Sequence, residues 1–282
     1  MKVLAVGAAG VSAGLVVKAL SARGVSVRGL VHSPAKEASA RQNGAIETVV
    51  ADLADRDALG RAMEGVDGVF HVIPAFVPDE AGIGVAVVEA AQHAGVRRVV
   101  FSSVYHPSLT VLSNHRDKQP AEQALYTSSM EFAILQPAMF MSQLDRVVAV
   151  ARQEGVISGP YSSTSQMSYV DYREVAEVAA LSFTTDRFVN GTFELAAAGT
   201  SSREDIAVEL SKILNTPVRA ESFTPNLDDS RMPQALRDGL SRMFDSYNKH
   251  GFHGGNSMIL AAMLGREPTT VADYLAEMAG TQ

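Results

Sequence analysis

Cysteine is absent from the 282 residues of this chain. Disulfide bonds, thiolate metal sites and cysteine nucleophiles are therefore excluded together. The absence is typical of a protein of the reducing cytoplasm, and we expect a cytoplasmic location. His250 and His253 lie close together in the sequence, but no convincing further ligands accompany them. We therefore predict that the chain holds no metal.

Positive charge is also scarce. Lysine and arginine number 24 against 31 acidic residues, which gives a formal net charge of −7 at pH 7. A protein that binds nucleic acid needs a basic face, so nucleic acid is not an expected partner. No run approaches the ~18 apolar residues of a membrane span, so we expect no membrane insertion. The short apolar start before Gly7 predicts a buried strand rather than a signal peptide.

The first half of the chain alternates regularly between short apolar runs and longer helical patterns, which is the signature of βαβ units around a parallel sheet. Six runs are predicted strands: residues 3–6, 25–31, 47–50, 68–72, 99–102 and 132–136. Four stretches between them are predicted helices: residues 13–22, 57–63, 83–94 and 120–126. The predicted fold class is therefore α/β, a Rossmann-type doubly wound parallel sheet with a smaller C-terminal substrate-binding region.

The alternation stops after Pro137. We predict helices at residues 142–154 and 270–279, a loop at 155–165, a strand end followed by a helix within 170–183, and a strand at 192–196. Ser201 and Glu204 have capping-box spacing, which predicts a helix from there to Leu214. The predicted domains are a Rossmann domain at 1–138, with 166–196 packing back on it, and a smaller region at 139–165 and 197–282.

A glycine-rich loop, Gly7-Ala8-Ala9-Gly10-Val11-Ser12-Ala13-Gly14, joins the first predicted strand to the first predicted helix. Gly7 permits a tight turn, Gly10 lets the backbone approach a pyrophosphate, and the helix N-terminus supplies amides and a partial positive charge. We therefore predict that the chain binds a nicotinamide dinucleotide here. The predicted contacts are Gly7, Ala9, Gly10, Val11, Ser12 and Ala13. A glycine-rich turn without a ligand is the alternative.

The end of the second strand bears on the choice of cofactor. Sites that prefer NAD normally carry an acidic residue there, which binds the ribose hydroxyls. This chain has no such acid, and His32, Ser33 and Lys36 could instead hold a 2′-phosphate. We therefore predict that NADP(H) is preferred over NAD(H). Lys36 as a solvated charge is the alternative.

Further motifs recur along nearly the whole chain. They are VADL at 50–53, GVDGVF at 65–70, AGVRRVVFSSV at 94–104, Lys118 with Glu122, AILQP at 133–137, VD at 170–171 and LGREPT at 264–269. With the glycine loop, they resemble the NmrA-like family of atypical short-chain dehydrogenase/reductases. That family includes isoflavone-type, triphenylmethane and quinone reductases, and also NADP-sensing regulators without turnover.

The resemblance implies positions around the cofactor. It places Asp52 and Leu53 near the adenine, Ile73 and Pro74 beside the adenosine and phosphates, and Ser102 and Ser103 near the nicotinamide. The sequence departs from the family pattern at two sites. His32 stands where the family usually has an arginine, and Gln136-Pro137 replaces the common Arg-Pro, so that second arginine's role cannot be carried over.

The candidate catalytic residues are Lys118 and His115: Lys118, or His115 through it, would donate a proton or orient the ribose. The tyrosine and lysine four residues apart that classical short-chain dehydrogenases use are absent, because Leu109 follows Tyr105 and Met130 follows Tyr126 at that spacing. The resemblance aligns Lys118 with the lysine that serves as acid or base in isoflavone-type reductases. His115, three residues earlier, would share a helix face with it. Lys118 would also contact the cofactor, and the alternative is a surface salt bridge to Glu122.

An apolar substrate pocket is predicted from Tyr105, Met139, Phe140, Met141 and Tyr161. Helix-core packing explains such residues equally well and is the alternative. We expect an NAD(P)H-dependent oxidoreductase that reduces a small apolar or aromatic electrophile of the quinone, dye or enone type, as a monomer or homodimer. The competing hypothesis is an NADP(H)-binding redox-sensing regulator that acts through protein partners without turnover.

Overall fold

The computed structural model describes residues 1–229 and 231–280. The strands are Lys2–Val6 (β1), Ser26–Val31 (β2), Glu47–Val50 (β3), Gly68–Val72 (β4), Arg98–Ser102 (β5), Glu131–Pro137 (β6), Met139–Phe140 (β7), Val156–Gly159 (β8), Tyr169–Val170 (β9), Gly191–Leu195 (β10) and Arg219–Ser222 (β11). The six strands predicted in the first half of the chain are confirmed, each to within one residue at either end.

The helices alternate with these strands. They are Val11–Ala22 (α1), Glu37–Gln42 (α2), Arg56–Met63 (α3), Glu80–His93 (α4), Ser113–Arg116 (α5), Gln119–Tyr126 (α6), Asp145–Glu154 (α7), Tyr172–Thr184 (α8), Arg203–Leu214 (α9), Gln234–His250 (α10), Met258–Leu264 (α11) and Val271–Gly280 (α12). Short 3₁₀ turns lie at Pro34–Lys36 and Met141–Leu144.

The main sheet has seven strands in the order β10-β6-β5-β4-β1-β2-β3. The strands from β6 to β3 in this order pair in parallel, so their carboxyl ends share one edge of the sheet. The order reverses between β1 and β4. In doubly wound sheets this reversal opens a crevice at the carboxyl edge in which ligands bind. The α/β Rossmann-type fold is confirmed.

The chain divides into two compact units. The first comprises residues 1–110, 114–136 and 173–194, and the second comprises residues 111–113, 137–172 and 195–282. In the first unit, one apolar core packs helices α3, α4 and α6 against the sheet, with Leu59, Val87 and Leu125 fully buried among the strand residues. Because helices cover them, the central strands are almost continuously apolar.

The second unit contains two small parallel sheets, β8 with β11 and β7 with β9. The loop predicted at residues 155–165 is therefore wrong at its start, where Val156–Gly159 forms β8. The capping box is also displaced by one residue: Ser202 begins α9, its side chain accepts from the Asp205 amide, and the Asp205 carboxylate accepts from the Ser202 amide. Ser201 instead forms a bridge with Met167.

Candidate cofactor and catalytic site

The glycine loop lies between β1 and α1, at the carboxyl edge of the sheet. Gly7 has φ +72°, in the left-handed region that favours glycine, and its carbonyl accepts a hydrogen bond from the Gly10 amide at 2.7 Å. Gly10 begins α1 without a side-chain cap, and the first turn contains no acidic residue. Val11, directly after it, is 77% exposed. The loop therefore has the backbone shape, the amides and the exposed surface that a bound pyrophosphate requires.

Asn43 supports the loop from behind. Its Nδ2 donates to the Ala8 carbonyl at 3.0 Å. A Cβ on Gly14 would lie 2.5 Å from that nitrogen, so the second glycine of the Ala13-Gly14 pair makes room for the amide. Gly14 therefore supports the loop through packing.

The candidate adenosine-phosphate residues follow β2 and β3. His32 and Lys36 are exposed, and Ser33 is half-buried at the start of the 3₁₀ turn. Asp52 is exposed and accepts from the Ala54 amide at 2.9 Å, while Leu53 is partly buried against the core of the first unit. No acidic residue stands directly after β2. His32, Ser33 and Lys36 therefore stay the side chains proposed to hold a 2′-phosphate.

Lys118 lies immediately before α6 and is only 4% exposed. Its ammonium donates to the Ile73 carbonyl at 2.9 Å and forms a salt bridge with the Glu80 carboxylate. The alternative of a surface pair between Lys118 and Glu122 is therefore wrong. Glu80 comes from α4, 38 residues away in the chain, and is itself 3% exposed. Lys118 is thus a buried cation held beside the carboxyl end of β4.

Glu80 also fixes the loop that follows β4. Its second carboxylate oxygen accepts from the Phe76 amide at 3.0 Å. Phe76 and Asp79 have positive φ values of 63° and 53°, so this loop departs from ordinary backbone conformations twice. Burial lowers the pKa of Lys118, and the Glu80 carboxylate opposes that shift. Burial likewise raises the pKa of Glu80, opposed by the Lys118 ammonium.

Glu122 forms a separate buried network. Its Oε1 accepts from the Ser103 hydroxyl at 2.6 Å and from the Gln136 amide at 2.8 Å. Gln136 thus stands where an arginine would be expected from the family resemblance, and it binds Glu122 as a neutral donor. Ser102 ends β5, directly before Ser103 in the chain, and is also buried. Ile73 is buried and Pro74 is exposed directly after β4.

His115 lies in α5, whereas Lys118 precedes α6, so the expected single helix carrying both residues on one face is not formed. The two are joined by a turn in which the Lys118 amide donates to the His115 carbonyl at 3.2 Å. The His115 Nδ1 donates to the His106 carbonyl at 3.1 Å. Burial lowers the pKa of His115, and the nearby Lys118 charge contributes in the same direction.

The five candidate pocket residues divide between the units. Tyr105 lies in the first unit, is 3% exposed and packs its ring against that of His106. The other four lie in the second unit. Met139 and Phe140 form β7 and are half-buried, whereas Met141 has no exposed surface. Tyr161 packs under the Arg203 guanidinium and against the Tyr247 ring.

Two residues near Lys118 were missed in the sequence. Glu80 follows Asp79 at the start of a helix, where acidic residues are common for capping and for the helix dipole, so nothing in the sequence marks it as buried. His71 lies in β4, is fully buried and stacks on Phe101, and neither ring nitrogen has a hydrogen-bond partner. The apolar residues on either side of His71 predict a buried strand, and this is the one sequence feature that indicates its burial.

Within residues 1–229 and 231–280, the structure brings together no three histidine, cysteine or acidic side chains in a group that could hold a metal ion. Over the same described residues, no helix is both long enough and apolar enough to span a bilayer.

Parallel strands that reverse order beside a glycine loop at the first β–α turn define a Rossmann-type protein of the dinucleotide-binding class. The chain belongs to the NmrA-like family, whose model matches residues 1–275. The resemblance drawn from the sequence is therefore confirmed. It covers both units of the chain rather than the glycine loop alone.

Three known proteins illustrate the likeness. An NAD(P)H azoreductase from Xenophilus azovorans is 27% identical over 250 residues, which cover 86% of each chain. An NADPH-dependent quinone oxidoreductase from Escherichia coli, solved with NADPH, superposes with a TM-score of 0.83 at 22% identity over 99% of both chains. NmrA, a negative transcriptional regulator solved with NADP, gives 0.80 at 17% identity over 99% of this chain and 96% of its own. At these identities the structures establish a shared fold.

Proposed function

We propose that this chain is an NADPH-dependent reductase of small apolar or aromatic electrophiles, such as quinones, azo dyes and enones. The single observation that carries the proposal is the buried Lys118 ammonium beside the carboxyl end of β4, in the same unit as the uncapped glycine loop. The names of the azoreductase and the quinone oxidoreductase support this substrate class.

The residues at the carboxyl edge fit a nicotinamide dinucleotide. Gly10 and the first turn of α1 would bind the pyrophosphate, and His32, Ser33 and Lys36 would bind the 2′-phosphate. Asp52 and Leu53 would contact the adenine, with Ile73 and Pro74 beside the adenosine. When bound, the cofactor supplies a hydride.

Lys118 supplies the proton or orients the ribose. A lysine donates a proton at neutral pH most effectively when its pKa lies below the ordinary value, and burial shifts the pKa of Lys118 in that direction. The Ile73 carbonyl and the Glu80 carboxylate accept two of the three ammonium protons, so the third is available to a bound molecule. Within the first unit, Tyr105 is the aromatic side chain proposed to contact the substrate.

The test is turnover by a Lys118→Met variant. NADPH oxidation is followed at the nicotinamide absorbance with quinones, azo dyes and activated alkenes as acceptors. We expect Lys118→Met to lower kcat by about 10²–10⁴-fold, the range typical of removing a general acid. Lys212→Met is the matched control, because Lys212 is exposed and pairs with Glu209 of its own helix. Full activity of Lys118→Met on a confirmed substrate would refute the catalytic assignment.

A further inference from the structure

The Glu80 carboxylate is built into the first unit as the buried partner of Lys118. One oxygen pairs with the Lys118 ammonium, and the other accepts the Phe76 amide at 3.0 Å. Both side chains of the pair are almost completely buried, at 6% and 2% exposure. A carboxylate with so little solvent is stable only when its charge is paired and its oxygens are hydrogen-bonded, and both conditions are met here.

We propose that Glu80 is the positioning residue that holds Lys118 protonated and aimed from the Ile73 carbonyl toward the bound substrate. This inference rests on the proposed reductase activity for its role in turnover, although the electrostatic part stands without it. Glu80 also ties the loop after β4 to the same ammonium through Phe76. The loop proposed to contact the adenosine and the residue proposed to donate the proton are thus held by one carboxylate.

Three titratable groups lie near the pair. Asp117 precedes Lys118 in the chain and raises the pKa of both Lys118 and Glu80. Burial lowers the pKa of His71 in β4 and of His115 in α5, and the Lys118 charge acts on both in the same direction. Neither histidine therefore adds positive charge near neutral pH. Glu80 is therefore the main group that opposes the loss of the Lys118 proton.

The direction of the effect follows. Replacement of Glu80 by glutamine keeps the size of the side chain and an acceptor for Phe76, but it removes the negative charge. Lys118 then loses its proton at lower pH, because removal of a nearby opposite charge lowers a lysine pKa by about 1–3 units. In an enzyme that needs Lys118 protonated, the fall of kcat at alkaline pH moves to lower pH by the same amount.

The experiment titrates Lys118 by NMR in the cofactor-free protein labelled with ¹³C at lysine Cε. Only six lysines are present, and the Lys118 signal is assigned by its loss in Lys118→Met. Glu80→Gln is compared with Glu89→Gln, a control on the same helix whose carboxylate pairs with the exposed Arg56. We expect the Lys118 pKa to fall by about one unit or more in Glu80→Gln and to stay unchanged in Glu89→Gln.

A Lys118 pKa that does not move in Glu80→Gln overturns the proposal, because a purely structural carboxylate would change stability without changing that titration. If Glu80→Gln does not fold, Glu80→Asp takes its place: it keeps the charge but withdraws it by one methylene, so a smaller fall is expected. With a confirmed substrate, the alkaline limb of kcat in Glu80→Gln moves to lower pH by the same amount as the Lys118 pKa measured by NMR. Absence of turnover in the unmodified protein refutes the reductase and leaves the titration as the decisive result for Glu80.

Discussion

His71 is a single side chain whose burial has a measurable cost. Both imidazole nitrogens are buried without a partner, and each such unsatisfied group costs about 1–3 kcal/mol. Burial lowers the pKa of His71 to about 3, with the Lys118 charge acting in the same direction. Folded His71 is therefore neutral over a pH range in which the unfolded chain takes up a proton.

The sign of the pH effect follows from this difference. Between about pH 6.5 and pH 3 the unfolded state binds more protons, so the free energy of unfolding falls as the pH falls. The loss from His71 approaches about 1.4 kcal/mol for each pH unit well below 6.5. We expect His71→Phe to remove this loss. The free energy of unfolding of His71→Phe, relative to that of the unmodified protein, should therefore rise as the pH falls from 7.5 to 5.

Urea unfolding at pH 7.5, 6 and 5 measures the effect. His93→Gln is the control, because His93 is exposed at the end of α4 and its ring forms a hydrogen bond with the Glu89 carbonyl of its own helix. His115 is present in all three proteins, so its own lowered pKa cancels in the comparison. Parallel loss of stability in His71→Phe and the unmodified protein would contradict the account of His71.

At the level of residues, the sequence predicted the loop and missed the lysine's partner. Gly7 and Gly10 were predictable because glycine at those positions meets a backbone requirement that is local in the chain. The partner of Lys118 was not, since Glu80 is distant in sequence and Glu122 offered a plausible pair one helical turn away. Tertiary packing, which buries both Glu80 and Glu122, decided between them.

Helices α4 and α6 pack closely because a glycine lies between them. A Cβ on Gly84 would lie 2.9 Å from the Ala121 Cβ and 2.9 Å from the Ile73 Cδ1. Ile73 can rotate its terminal methyl, but the Ala121 Cβ is fixed to the α6 backbone. An added methyl group therefore forces the two helices apart, although alanine is the better helix former by about 1 kcal/mol.

A pair of alanine substitutions separates these effects. Gly84→Ala should lower the free energy of unfolding by up to about 2 kcal/mol, because overpacking costs about 1–3 kcal/mol and the better helix propensity of alanine returns only about 1 kcal/mol. Gly60→Ala in α3, where nothing lies within 4 Å of the added Cβ, should raise it by about 0.5–1 kcal/mol. Equal stabilisation in both variants, measured by urea unfolding, would show that α4 and α6 are not in close contact at Gly84.

How well each strand or helix could be predicted depended on its burial and its length. Strands β1, β4 and β5 were predictable because burial on both faces leaves nearly continuous apolar runs, whereas β3, at the edge of the sheet, has no buried residue and was predicted from its short β-branched run. Strands β8 and β11 have four residues each, too few for a period-2 pattern to stand out from a loop. Helix α10, at Gln234–His250, was missed although its sequence carries the signal of an amphipathic helix: apolar residues recur at helical spacing at Leu236, Leu240, Met243, Phe244 and Tyr247.

At the scale of the whole molecule, the family is established and the chemistry is the proposal. The NmrA-like family contains proteins named as reductases and one named as a transcriptional regulator, so membership alone does not decide between turnover and sensing. Both the reductase hypothesis and the sensor hypothesis require a cofactor bound at the glycine loop. Cofactor binding is therefore the claim to test first.

The most direct test is calorimetric titration of the protein and of Gly10→Val with NADPH and NADH. Gly10 has φ −76°, which valine can adopt, so the fold should survive, but a Cβ there would lie 3.2 Å from the Gly7 carbonyl and enter the space of the pyrophosphate. We expect NADPH to bind more tightly than NADH, and Gly10→Val to weaken NADPH binding by about an order of magnitude or more. A folded Gly10→Val that binds NADPH as tightly as the unmodified protein would contradict the site, and equal affinity for both cofactors would contradict the preference.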